Sequence, residues 1–178
     1  MIEKILQLLN ENNTKIQDEY FSGENWIFKA TTIIKNTLAQ FGKDEYDCCV
    51  SSHYLEIADQ GEWIFDLVLY EMIYEGEFSR MKKIYLIVES EFSKASFGGF
   101  KEDFDKLFIN NRATKLFIFR KNNEHEFEKI INYGNKAIND FEDFDVNDSI
   151  HLIYWDEIGR EKNFKHYQFR KMASANTR

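Results

Sequence analysis

The chain has no proline, only 8 glycines and only 2 cysteines in 178 residues. Each scarcity excludes something. Without proline there is no polyproline linker or recognition segment. Cys48 and Cys49 are adjacent, which suits neither a disulfide across the fold nor a cysteine metal cage. They read instead as small apolar side chains on a strand of a cytoplasmic protein. Apolar runs last only a few residues, far short of the ~20 a membrane helix needs. The opening MIEKILQLLNENN carries charges inside its apolar pattern, unlike a secretory signal. No phosphate-binding glycine pattern occurs, and neither an internal repeat nor a low-complexity segment is present.

What the chain does have is hydrophobic content of 43% and aromatic content of 16%, enough to bury a core. Charge is uneven. Six cations against the single acid Glu161 put residues 160–178 at +5, which leaves −13 on residues 1–159 out of the total of −8. An acidic body argues against indiscriminate phosphate binding, although the basic tail offers contacts. The tail reads first as an ordinary solvated terminus.

Apolar periodicity divides the chain into an N-terminal helical segment (1–22), a core (23–158) and a basic C-terminal tail (159–178). Ile2, Ile5, Leu6 and Leu9 recur at helical spacing, as do Ala30, Ile33, Ile34, Leu38 and Phe41, with Gly42 as the expected stop. The period then becomes that of strands. DCCVSSHYLEI (47–57), EWIFDLVLYEMIY (62–74) and KIYLIVESEF (83–92) predict three of them, with a turn inside 75–83. A helix is expected over about 100–112, with Phe100, Phe104, Leu107 and Phe108 on one face. TKLFIFR (114–120) is apolar on both faces, as a central strand would be. Asn123 and Glu126 resemble a capping box opening a long helix, and SIHLIYW (149–155) predicts a fifth strand. The expected fold class is α/β, in the order α-β-β-β-α-β-α-β: an antiparallel meander followed by parallel crossovers in a mixed sheet flanked by helices.

The acids matter against this frame. Glu89 and Glu91 end the third strand and share a face, because strand side chains alternate. Two carboxylates side by side repel unless a cation relieves them. Asp66 is placed in mid-strand among apolar neighbours, and a turn centred on residue 78 sets it level with position 90. Asp66, Glu89 and Glu91 would then converge as the oxygen-rich site that Mg²⁺ or Mn²⁺ prefers. His53 reads as a packed core histidine. His125, His151 and His166 show no zinc spacing. Glu24 fits either a further ligand or a first-turn dipole acid.

An aspartate in the second strand and E-x-E ending the third resemble the PD-(D/E)XK nuclease superfamily, over roughly residues 25–155. EWIFDLVLYE, LIVESEF and DFDKLFINNRATKLFIF resemble one bacterial branch of it. The resemblance implies a restriction endonuclease-like fold and a Mg²⁺- or Mn²⁺-dependent nuclease acting on DNA or RNA, with DNA the first expectation. It also implies pairing into a homodimer. Asp66 and Glu89 would be metal ligands, with the backbone carbonyl of Ser90. Phe65 stands where the motif proline would be, and Glu91 where the motif lysine would be. Some restriction enzymes of the superfamily carry glutamate there. In others the lysine has moved to the following helix, where Lys106 is the candidate and Arg112 a second one. The other function class compatible with these residues is a catalytically inactive descendant, a protein-binding or nucleic-acid-mimicking module whose acidic surface docks basic partners.

Overall fold

A computed structural model of the chain describes residues 1–21, 26–92, 96–109 and 112–171. Glu24 and residues 172–178 lie outside the described residues. Three helices come first: α1 (Ile2–Glu11), α2 (Asn13–Phe21) and α3 (Trp26–Tyr46). Strands β1 (Cys49–Ser52), β2 (Leu67–Glu75) and β3 (Phe78–Glu91) follow, then α4 (Phe97–Lys106) and a 3-10 turn. β4 (Thr114–Lys121), α5 (Glu124–Asp140), β5 (Ser149–Asp156) and β6 (Phe164–Arg170) complete the fold.

The six strands form one mixed sheet in chain order. β1–β2 and β2–β3 pair antiparallel, β3–β4 and β4–β5 parallel, and β5–β6 antiparallel. The meander and the two helical crossovers are thus as the periodicity predicts. β4 is buried on both faces and lies inside the sheet, which is why its apolar residues do not alternate with polar ones. Gly76 makes the hairpin turn with φ +60, a conformation only glycine adopts without steric cost. Helices α1–α3 pack Ile5, Leu9, Ile34 and Leu38 onto Leu67, Leu86, Val88 and Leu116. On the other face α4 and α5 set Phe100, Phe104 and Ile130 against Ile87, Phe117 and Leu152. The result is a three-layer α/β/α unit, and no described helix is long and apolar enough to cross a membrane.

Several boundaries differ from the expected ones. α3 runs through Gly42 to Tyr46. A Cβ there would come within 2.7 Å of the Leu69 side chain, so this glycine serves the close approach of helix to sheet rather than a stop. β1 is four residues long rather than eleven, and His53 is exposed just beyond it rather than packed in the core. β2 begins at Leu67, so Asp66 sits in a bend before the strand and not in its middle. The stretch read as a basic tail contributes β6, whose Phe164 and Phe169 are buried. Its buried positions are five apart and the rest are polar, which hides any period of two. Phe169 packs so tightly under α5 that a Cβ on Gly134 would lie 2.5 Å from its ring. Gly134→Ala should therefore cost about 1–3 kcal/mol through overpacking, read as a lower urea midpoint with an unchanged slope. A normal midpoint would mean that β6 is not docked there.

Candidate active site

One end of the sheet gathers Asp66, Glu89, Lys35 and Lys106. β2 starts there and β3 ends there, because the two are antiparallel. Leu67 pairs with Val88, and one step further brings Asp66 level with Glu89. The Ser90 N–H donates to Asp66 Oδ2 at 2.8 Å, which fixes that carboxylate at the strand end. The Asp66 carbonyl accepts from Ser52 Oγ at 2.7 Å and so ties the bend to β1.

Glu89 is 2% exposed, and its Oε1 has no hydrogen-bond partner. The nearest cation is Lys106 Nζ at 3.7 Å. That lysine is committed elsewhere, donating to Asp103 Oδ1 at 2.6 Å. Burial and then the charge of Asp66 push the Glu89 carboxyl up to about 8, against the smaller opposing effect of Lys106. Burial disfavours the Lys106 charge, but its hydrogen bond to Asp103 and the nearby Glu89 and Asp66 outweigh that and hold it above the ordinary lysine range. Ser90 Oγ is a second buried oxygen without a hydrogen-bond partner.

On the other side of the cluster Lys35 of α3 lies 3.4 Å from Asp66 Oδ1 and 3.6 Å from Glu62 Oε2. Neither Lys35 nor Glu62 stands out in the sequence as a site residue. The available signal is that Lys35 follows buried Ile34 and precedes buried Leu38 and Ala39, so it lies on the flank of an apolar helix face. Asp103 is one turn before Lys106, the spacing of a helical ion pair. Lys35→Met should destabilise the fold by about 1–3 kcal/mol, measured by denaturation at pH 7. An unchanged midpoint would show that Lys35 is not needed to compensate the acids.

Asp66, Glu89, Ser90 and Lys106 therefore come together as expected. Glu91 shares the face of Glu89 but lies against α4, where a Cβ on Gly99 would be 2.8 Å from its Oε2. Among the described residues no three His, Cys, Asp or Glu side chains are arranged to hold a metal ion. Asp66 and Glu89 make a pair, while Glu91 packs against the first turn of α4. Arg112 precedes β4 at its opposite end, since Thr114 pairs with Leu86 and Phe117 with Glu89, so it does not join the cluster. His151 and His166 share a hydrogen bond of 3.0 Å across β5 and β6.

The donor set is nevertheless of the right kind for a hard cation. Two carboxylates lie level at neighbouring strand ends, and one carboxylate oxygen, Glu89 Oε1, is buried without a hydrogen bond. Oxygen donors of this kind suit Mg²⁺ or Mn²⁺. A cation beside Glu89 would also remove the cost of ionising it in a dry site. No family model, curated protein or solved structure matches the chain.

Proposed function

We propose that the chain is a metal-dependent nuclease that hydrolyses phosphodiester bonds at the Asp66–Glu89 pair. The observation that carries this reading is Glu89: buried, lacking a hydrogen bond on Oε1, and set beside a second carboxylate that raises its proton affinity. A structural acid would have its hydrogen bonds made. Perturbed carboxylates of this kind are the groups that catalysis uses. The meander, the parallel fourth strand after a crossover helix, and acids at adjoining strand ends support reading the sheet as restriction endonuclease-like.

In this proposal Asp66 and Glu89 hold Mg²⁺ or Mn²⁺ together with the Ser90 carbonyl. Such an ion, when bound, supplies a water of lowered pKa and offsets charge on the phosphate. Asp66 is held in place for this by the Ser90 N–H. Lys106 takes the part of the missing motif lysine: its ammonium, 3.7 Å from Glu89 Oε1, is within reach of a phosphate oxygen. Asp103 keeps it charged and oriented. Glu91, against Gly99, stays outside the ligand pair.

The test is hydrolysis of single- and double-stranded DNA and RNA with Mg²⁺ or Mn²⁺. Wild type should cleave at least one of these, and Glu89→Ala should not. Absence of cleavage of all four with either ion would favour the binding-module reading, to which the −13 charge on residues 1–159 lends support.

A further inference from the structure

We propose that Phe28, Tyr54 and His53 form a stacking platform for unpaired bases, so that the strand presented to Asp66 and Glu89 is single-stranded. This rests on the nuclease reading and specifies its substrate.

The platform lies at the same end of the sheet as the acids. β1 is antiparallel to β2, so the residues that follow β1 emerge where Asp66 enters β2, and Ser52 pairs with Leu67. Side chains connect the two places. His53 Nδ1 is 3.9 Å from Glu62 Oε2, and Lys35 lies between Glu62 and Asp66. Tyr54 is 77% exposed and Phe28 is 52% exposed. Their ring centroids are 5.4 Å apart at 74°, and the His53 ring is also 5.4 Å from Tyr54.

Neighbouring aromatic rings left this open to water are not explained by core packing. The backbone adds a second indication. Tyr54 has φ +61, a left-handed conformation that is unfavourable for a bulky side chain. The ring held on this backbone is the most exposed of the β1–β2 loop, at 77% against 42% for Trp63. Persistent strain of this sort belongs with function.

The chemistry selects the occupant. In a duplex each base is covered above and below by its neighbours and has no face to offer. An unpaired base stacks on Tyr, Phe or His. Charge points the same way. A duplex carries about one phosphate per 1.7 Å, which an acidic body repels more strongly than it does one strand.

The experiment measures binding of a fluorescently labelled single-stranded DNA without self-complementarity and of the blunt duplex it forms with its complement, by anisotropy in Ca²⁺, followed by cleavage in Mg²⁺. Wild type should bind the single strand at least tenfold more tightly than the duplex. Tyr54→Ala and Phe28→Ala should each weaken single-strand binding about tenfold, and Tyr54→Trp should retain it, all with unchanged melting temperatures. Equal or tighter duplex binding overturns the platform, as does single-strand affinity unaffected in the doubly substituted protein, and as does no binding of either DNA. Duplex cleavage at an undiminished rate in Tyr54→Ala also overturns the platform but upholds the nuclease. Tyr54-dependent binding of the single strand with no cleavage upholds the platform and overturns the nuclease.

Discussion

Glu89→Gln should make the protein more stable above pH 7 and nearly abolish its activity. Burial and Asp66 raise the Glu89 carboxyl from 4.5 to about 8, so the folded chain holds this proton more tightly than the unfolded chain does. Between those two values the unfolded state binds fewer protons, and stability falls as pH rises. The term is absent below about pH 4.5 and complete above about pH 8. Its full size is on the order of 3–5 kcal/mol. The amide of glutamine fills the same space with no charge to desolvate. At pH 8.5 the variant should gain about 1–3 kcal/mol, and its melting temperature should rise by roughly 2–10 °C. The decline in wild-type stability between pH 5 and 8 should flatten. On the nuclease proposal, hydrolysis should in contrast fall about a hundredfold or more, because the carboxylate assigned to the metal would have lost its charge. A group that only held the fold together would lower both quantities. Measured loss of stability at pH 8.5, or full activity, would contradict the assignment.

The second large effect concerns the metal. Mg²⁺ or Mn²⁺ at about a hundred times its dissociation constant should stabilise the wild type by about 2.7 kcal/mol, since it binds the folded site and not the unfolded chain. Asp66→Ala should remove this shift. Binding requires Glu89 ionised, so the shift should be larger at pH 8 than at pH 6, by up to tenfold in affinity for each unit below the carboxyl's own pKa. Lys106→Ala should keep the shift, because a lysine is no ligand, while turnover falls. That combination separates the two roles. Equal shifts in wild type and Asp66→Ala would place the ion elsewhere.

Much of this site was legible in the linear sequence because sheets obey simple counting. Placing the hairpin turn at residue 78 set Asp66 level with position 90, whereas the turn glycine is Gly76. Irregularities between Leu69 and Tyr70 and between Glu71 and Met72 shift the register back, so the error shrinks to one residue. Glu89 was visible as an acid interrupting an apolar strand, and Lys106 as the cation on the next helix. For Glu91 the sequence offers alternation alone, which places a side chain on a face but says nothing about what occupies that face. Here it is the first turn of α4, where Gly99 leaves room for it.

The parts that could not be read are those made by contacts far apart in the chain. Lys35 reaches Asp66 over 31 residues, and no local pattern encodes such a meeting. α2 buries only Ile16, too little to produce a stripe. β6 is an edge strand rich in polar residues, as edges that avoid aggregation are, and so it resembles a tail.

The most direct measurement is a crystal structure of the protein soaked in Mn²⁺ at pH 8, with anomalous data. The account predicts one strong peak within about 2.0–2.3 Å of carboxylate oxygens of both Asp66 and Glu89. A map with no peak there, in which Lys35 and Lys106 alone compensate the two acids, would contradict it.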